Sequence, residues 1–110
     1  MRTEFPWGAI EWMAGAEVGN SEELSIARMW LPSGNETDAH AHDNCEESAY
    51  VLKGELEVVA DGVSVNIAQG EHAMVPRGSV HVLRSVGVDE AEVLLSYSSS
   101  ARAFRLASSI

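Results

Sequence analysis

The sequence predicts an all-β protein, and three observations support this fold class. Apolar and polar residues alternate along several short segments with the two-residue period of a half-buried strand. Glycine, proline and aspartate residues, which favour turns, separate these segments at spacings typical of a β-sandwich or barrel. Before residue 98, no segment shows the 3.6-residue period of an amphipathic helix.

Length and composition predict one globular domain over 1–110. The 110 residues suffice for a single hydrophobic core, and 45% of them are apolar. Within the domain we expect an N-terminal segment (1–22), a barrel (24–98) and a tail (99–110). The tail could contain one or two helical turns over 98–106, or it could be an extended arm.

The predicted strands follow one another along the barrel region. An apolar segment at 24–31 ends where Pro32 and Gly34 favour a turn. A longer segment at 49–59 is interrupted by Gly54, since glycine weakens a strand and often marks its end. Shorter strands are predicted at 73–75, 80–83 and 93–97.

The clearest local prediction is a hairpin at residues 61–62, which are Asp-Gly. This dipeptide readily adopts the two positive φ angles of a type I′ turn. A two-residue loop pairs Ala60 with Val63 and, further out, Val58 with Val65. All four side chains then lie on one apolar face of the hairpin.

Charge and hydropathy argue against some classes of partner. The chain has 17 acidic residues against 7 basic ones, so it would repel a phosphate backbone. No apolar run approaches the roughly 20 residues needed to cross a bilayer, and the N-terminus lacks the apolar core of a signal peptide. We therefore expect a cytoplasmic protein that binds neither nucleic acid nor membrane.

Three of the four histidines lie in two segments that we interpret as parts of one metal centre. The first segment is spaced Gly34, His40, His42, Glu47 and Gly54. Side chains at positions i and i+2 of an extended segment project from the same face, which applies to His40 and His42. A carboxylate follows at Glu47.

The second segment supplies the third imidazole. It is spaced Gly70, Pro76, Gly78 and His81. Together the two segments offer three nitrogen ligands and one oxygen ligand. This set suits one divalent first-row metal ion, Mn, Fe, Ni or Zn, and it leaves coordination positions open.

The two segments resemble the two motifs of the cupin superfamily. The resemblance covers residues 34–54 and 70–85, and the short spacing between them is similar to that of small single-domain bacterial cupins of the type-2 kind. It implies a double-stranded β-helix, or jelly-roll, barrel in which paired strands deliver the ligands. The resemblance implies as ligands His40, His42, Glu47 and His81.

Three nearby residues leave alternatives open. Glu46 competes with Glu47, because the family tolerates either gap, although the spacing to Gly54 favours Glu47. The last position of the second motif is often asparagine but is Ser85 here, which affects substrate contacts more than metal binding. His72 matches no ligand position and is expected at the surface or at a strand edge; if it faced the pocket instead, it could serve as a proton shuttle.

Cys45, the only cysteine, excludes an intrachain disulfide. Its place between His42 and Glu47 suggests a ligand or a nucleophile. The alternative is a small residue near the end of a loop. We favour the loop residue, because the site needs no soft thiolate.

A substrate pocket is expected at the open side of the metal. Its candidate wall residues are Met29, Trp30, Tyr50, Leu83, Ser85 and Tyr97, and also Arg28 if its face of the strand points inward. For each aromatic residue, simple core packing is the alternative. Arg28 and Arg77 are the candidates for holding a substrate carboxylate, because arginine forms paired hydrogen bonds with such groups.

The N-terminal segment predicts a homodimer. Trp7, Trp12 and the apolar residues around them present more apolar area than a small barrel readily buries alone. Packing of residues 1–22 against a second subunit would cover this area. Cupins are commonly dimers, so the resemblance implies the same.

The function expected from these residues is that of a metalloenzyme acting on a small oxygen-rich organic molecule. A bound divalent ion can polarise a carbonyl or stabilise an enolate. Dioxygenase-like chemistry is favoured among options that include lyase, isomerase and cyclase reactions. The alternative is a non-catalytic small-molecule or sugar-binding module, such as a sensor.

Overall fold

The structure, a computed structural model, describes residues 2–108; the predicted ends of the N-terminal segment and of the tail, Met1 and 109–110, lie outside it. Eleven strands and no helix are found in this range. The strands are β1 (Arg2–Phe5), β2 (Gly8–Ala14), β3 (Ser25–Leu31), β4 (His40–Ala41), β5 (Glu47–Lys53), β6 (Glu55–Ala60), β7 (Val63–Ala68), β8 (His72–Val75), β9 (His81–Ser85), β10 (Ala91–Tyr97) and β11 (Arg105–Leu106). Residues 2–108 contain no helix capable of crossing a membrane.

The strands form two antiparallel sheets that enclose the core. The first sheet has the order β1-β2-β3-β10-β5-β8, and the second has the order β11-β4-β9-β6-β7. Alternate residues of each central strand point into the space between the sheets, for example Met29 and Leu31 from β3 and Leu56 and Leu83 from the second sheet. This two-sheet arrangement confirms the predicted all-β jelly-roll.

The strands predicted within the barrel are present, with small shifts at their ends. Gly54 divides the predicted segment at 49–59 into β5 and β6, and its φ of 86° is one that L side chains rarely adopt. A Cβ at this position would also lie 3.0 Å from the Cα of Ala91. Glycine is therefore required both by the turn and by the close approach of β10.

The hairpin between β6 and β7 has the predicted register. Ala60 pairs with Val63 and Val58 with Val65, and both residues of the loop at 61–62 have positive φ, 52° and 76°. The shared face is only half covered, however. Val58 is buried, whereas Val63 and Val65 are exposed, because β7 lies at the edge of its sheet.

The N-terminal segment extends the first sheet with two strands that sequence reasoning missed. β1 and β2 pair with each other, and β2 pairs with β3. Trp7 and Trp12 pack partly buried against the core. The protein itself therefore covers part of the apolar area on which the dimer prediction depended, and the homodimer stays a prediction.

The C-terminal tail is an arm, not a helix. After β10 it crosses from the first sheet to the second, where β11 pairs with β4. Ala107 donates a backbone hydrogen bond to the carbonyl oxygen of Ala39. The tail therefore runs beside β4, which carries His40 and leads directly into His42.

Candidate metal centre

The four predicted ligands come together at one end of the barrel. His40 begins β4 and is the direct cross-strand partner of His81, which begins β9. Glu47 begins β5, and His42 follows β4. All four side chains are buried. The ligand atoms that these residues offer lie within 4.8 Å of one another.

The arrangement centres on one carboxylate oxygen. Oε1 of Glu47 lies 3.1 Å from Nε2 of His42 and 3.3 Å from Nε2 of His81. Two ligand atoms bound at right angles about 2.1 Å from one ion would be about 3 Å apart. The observed separations therefore match those of neighbouring ligands on a shared ion.

Each histidine is oriented by its other ring nitrogen. Nδ1 of His40 lies 2.6 Å from the carbonyl oxygen of Asp38. Nδ1 of His42 lies 2.8 Å from that of Ala103, and Nδ1 of His81 lies 2.9 Å from that of Ser79. A carbonyl oxygen only accepts, so each Nδ1 carries the hydrogen. In the neutral ring Nε2 is then left with a free lone pair, which is the form that binds a metal.

Several buried atoms of the centre have no hydrogen-bond partner within the described residues. They are Nε2 of His42, Nε2 of His81 and both carboxylate oxygens of Glu47. The short contacts to Glu47 therefore lack hydrogen-bond geometry. Buried polar atoms without partners are costly, and a divalent ion would satisfy the two ring nitrogens and one of the carboxylate oxygens. The residues present thus fit a metal ion, and the cluster can bind one.

The protonation of Glu47 and His81 reflects their contact. Burial favours the neutral carboxyl, but contacts with His42 and His81 outweigh it and hold the pKa of Glu47 below its ordinary value. For His81, burial lowers the pKa, but the contact with Glu47 outweighs burial and raises it overall. The contact between Glu47 and His81 thus contributes to both shifts.

His40 behaves differently because burial dominates. Burial, followed by the nearby ring of His81, lowers the pKa of His40 to about 4. Its imidazole is therefore neutral at physiological pH without any metal. A neutral imidazole is the form that a metal requires.

The alternative candidates for the site lie outside the cluster of ligand atoms, and these are Glu46, Cys45 and His72. Glu46 is exposed, and its backbone N–H donates to the hydroxyl of Ser98. Cys45 is buried, and burial raises the pKa of its thiol. His72 is exposed at the start of β8, a sheet edge. Glu47 therefore supplies the carboxylate of the cluster.

A cavity of about 400 Å³ opens onto His40 and Glu47. Of the predicted wall residues, Met29, Leu83 and Tyr97 line it. Its other lining residues are Phe5, Trp7, Ile10, Thr37, Asp38, Leu95, Arg102, Phe104 and Leu106. Most of its walls are thus apolar or aromatic, as is usual for a small-molecule site.

Four predicted wall residues do not line this cavity. Arg28 and Trp30 lie on the outer face of β3, where both contact Glu92. Tyr50 lies on the outer face of β5 and is exposed. Their strand parity, opposite to that of Met29 or Glu47, explains all three positions.

The fourth predicted wall residue is Ser85, which has the correct parity. It lies two strand periods after His81 on β9, on the same face, and it is buried. At that distance it sits in the barrel interior beside Leu56, its partner on β6. Its depth in the barrel, not its face, places it away from the cavity.

Sequence reasoning missed the lining residues that come from the two ends of the chain. Phe5 and Trp7 belong to the N-terminal hairpin, and Arg102 and Phe104 belong to the tail. The ring of Phe104 stacks on that of His40, with centroids 5.0 Å apart. The tail has no regular periodicity, so the presence of an aromatic and a basic residue in it was the only sequence signal for these lining positions.

Comparison with known proteins gives a consistent family match. Residues 27–97 match the family described as Cupin domain. A germin-like protein (subfamily 2 member 2) of Arabidopsis thaliana is 35% identical over 85 residues, which cover 73% of this chain and 39% of that protein. An endoribonuclease YbeY of Myxococcus xanthus is 37% identical over 78 residues, 71% of this chain but 26% of that protein. The chain therefore spans well under half of these relatives.

Solved structures with the same fold include two kinds of oxalate enzyme. An oxalate oxidase in complex with glycolate superposes with a TM-score of 0.83 at 27% identity, covering 94% of this chain and 57% of that one. The oxalate decarboxylase of Bacillus subtilis gives a TM-score of 0.87 at 19% identity, covering 96% and 29%. At that identity, the second likeness shows the fold alone.

Proposed function

The chain belongs to the cupin family, and we propose that it is a divalent-metal-dependent enzyme acting on a small oxygen-rich organic molecule. One observation carries the proposal. Three imidazole nitrogens and one carboxylate converge beside a cavity of about 400 Å³, with buried atoms that lack other partners. Four protein ligands leave one or two positions of a five- or six-coordinate ion for substrate or dioxygen.

The residues of the chain supply the conditions that such chemistry needs. The ion, when bound, would act as a Lewis acid and could support oxygen chemistry. The backbone carbonyls of Asp38, Ala103 and Ser79 hold the three imidazoles in the metal-binding tautomer. The apolar walls around Leu83 and Tyr97 limit the access of bulk water.

The oxalate oxidases that share the fold at 27% and 28% identity support oxidative chemistry. One of them is in complex with glycolate. They support a small acid as substrate but do not single out the dioxygenase-like reaction that the sequence favoured. The net charge of −10 argues against the ribonuclease activity named for one relative.

A non-catalytic binding module is the second candidate, and one observation favours it. Apart from the ligands, the ionisable residues lining the cavity are Asp38, Tyr97 and Arg102. Burial raises the pKa of the Tyr97 hydroxyl well above its ordinary value, so it would not act as a base near neutral pH. Few groups in the cavity could therefore move a proton.

Metal analysis followed by turnover assays tests the proposal. We expect the purified protein to carry about one divalent ion per chain. Loaded with Mn²⁺ or Fe²⁺, it should consume oxygen or release carbon dioxide with oxalate, glycolate or a diketone. Stoichiometric metal and tight binding of small acids without turnover would favour the binding module. Protein that takes up none of the four candidate metals would refute both.

A further inference from the structure

We propose that Arg102 holds the anionic group of the substrate, and that the substrate is therefore a small carboxylate. The inference rests on the proposed function, in that the cavity beside the ligands is the substrate site. Arg102 lines this cavity together with His40 and Glu47. Within residues 2–108, it is the only lysine or arginine that does so.

Hydrogen bonds to the side chain of Asn44 hold the tail backbone on both sides of Arg102. On one side, the Asn44 side chain donates to the carbonyl oxygen of Ala101 at 3.1 Å. On the other, the backbone N–H of Ala103 donates to Oδ1 of Asn44 at 2.8 Å. The carbonyl oxygen of Ala103 accepts from His42. The backbone carrying Arg102 is thus tied directly to a ligand of the centre.

The guanidinium of Arg102 lies among aromatic rings, between this cavity and a second one that Trp12 and Glu17 line. Its central carbon lies 4.8 Å from the ring centroid of Trp12, 5.3 Å from that of Tyr97 and 5.4 Å from that of Phe104. These contacts are attractive but leave the positive charge in place. Among the described residues, Arg102 makes no hydrogen bond or ion pair, and its Nε is buried without a partner.

Among the described residues, four other arginines pair with carboxylates, namely Arg2, Arg28, Arg84 and Arg105. Within that range Arg77 also makes no ion pair, but it is exposed and does not line this cavity. Arg28 pairs with Glu92, and Arg105 binds both oxygens of Asp43. With 17 acidic residues available, a positive group beside a cavity has nonetheless been left with unused donors. A buried donor without a partner costs free energy, so this arrangement is consistent with a ligand that supplies the acceptor.

The chemistry of the cavity identifies the class of ligand. A guanidinium offers a planar fork of N–H donors that matches the two oxygens of a carboxylate. Apolar walls strengthen this attraction, because they lower the local dielectric constant. A small carboxylate held by Arg102 would extend its remaining oxygen atoms toward His40 and Glu47, which line the same cavity. Neutral sugars and flavonols lack such a group.

The test compares a charged ligand with a neutral one of the same shape. In Mn²⁺-loaded protein, affinities for glycolate and glycolamide are measured by calorimetry and by tryptophan fluorescence, because Trp12 contacts Arg102. We expect Arg102→Gln to weaken glycolate binding about 10-fold or more and to leave glycolamide binding unchanged. Arg102→Lys should recover part of the loss, since it restores the charge without the fork.

Arg28→Gln is the matched control, because it removes the same charge from the outer face of β3. It should leave glycolate affinity unchanged. Unchanged glycolate affinity in Arg102→Gln, or equal losses for glycolate and glycolamide, would overturn the inference. Should Arg102→Gln not fold, Arg102→Lys against Arg28→Lys gives the same comparison: a selective glycolate loss supports the inference, and no loss overturns it.

The outcome is separable from that of the proposed function. Metal content and turnover are measured on the same samples. Selective loss of glycolate binding in a protein that shows no turnover would support Arg102 as an anchor in a binding module. Turnover of a neutral substrate that is unaffected by Arg102→Gln would preserve the enzyme and reject the anchor.

Discussion

At the scale of single residues, His81 and His72 show what separates a candidate metal ligand from a surface histidine. His81 is fully buried, its Nδ1 is held by the carbonyl oxygen of Ser79, and its Nε2 faces Glu47. His72 is exposed at a sheet edge. The fixed tautomer and the carboxylate 3.3 Å away, not the histidine side chain itself, make the first suitable for metal binding.

Replacing each of these histidines by alanine should therefore have different effects. His81→Ala removes one of four ligands, so we expect the metal content after dialysis to fall from about one ion per chain to near zero. His72→Ala should retain the ion. Elemental analysis of both variants, with circular dichroism to confirm folding, provides the measurement. Equal metal retention in the two variants would contradict the ligand assignment.

The metal-free protein should be most stable near pH 6.5, because folding shifts the pKa values of His40 and His81 in opposite directions. Burial lowers the pKa of His40 to about 4, so between pH 6.5 and about 4 the unfolded chain binds a proton that the folded chain does not. Stability then falls as the pH falls, by at most about 3 kcal/mol. The pKa of His81 is raised, so its contribution is lost as the pH rises above 6.5.

Urea unfolding with a chelator present, at pH values from 4.5 to 8.5, measures this dependence. His40→Gln should flatten the acid side of the profile, whereas His72→Gln should preserve it. The contribution of Glu47, whose pKa is lowered, is lost only as the pH falls below about 4.5. A metal-free protein whose stability rises steadily from pH 6.5 to pH 4.5 would contradict the assigned shifts.

At the scale of elements, local sequence patterns predicted the barrel strands and the ligand cluster. The alternation in β3 and the Asp-Gly turn before β7 are set by nearby residues. The spacing of His40, His42 and Glu47 likewise places three ligands within one short segment. Only the pairing of β4 with β9 was needed to bring in His81.

The elements that sequence reasoning missed depend on contacts far apart in the chain. β1 is exposed at all four residues, and β11 has only two, so neither shows a buried period. The pairing of β11 with β4 is set by the route of the tail across the barrel. The place of Arg102 in the cavity depends on that same route. The prediction for Arg28 was wrong because the alternation along β3 does not by itself reveal which face of the strand points inward.

The tail should also contribute to metal affinity through His42. Asn44→Ala removes the two hydrogen bonds that hold residues 101–103, and it thereby frees the carbonyl oxygen that orients His42. Because outer partners of metal ligands typically affect affinity 10- to 100-fold, we expect about a 10-fold loss. Competition with a fluorescent chelator measures this affinity.

A matched control for this prediction lies in another loop. Asn20 likewise makes two backbone hydrogen bonds, accepting from the N–H of Gly15 and donating to the carbonyl oxygen of Met13. Asn20→Ala should leave metal affinity unchanged. If the two variants bind the metal equally well, the tail does not orient His42.

At the scale of the whole molecule, the mouth of the cavity is rimmed by exposed apolar side chains from both ends of the chain. Phe5 is 42% exposed, Phe104 52% and Leu106 64%. All three line the cavity. Apolar side chains grouped around an opening are a common feature of binding surfaces. The N-terminal segment thus still offers an uncovered apolar edge, although its tryptophans are partly buried.

We therefore predict a homodimer in which β1 and the rim residues of one subunit pack against a second subunit. Phe5→Ser should shift the protein toward the monomer, because it removes apolar area from the centre of that surface. Val88→Ser is the control, since Val88 is 94% exposed in the loop before β10 and does not line the cavity. Light scattering coupled to size exclusion at micromolar concentration measures the mass. A monomeric mass for the unaltered protein would reject the dimer, and a mass insensitive to Phe5→Ser would place the interface elsewhere.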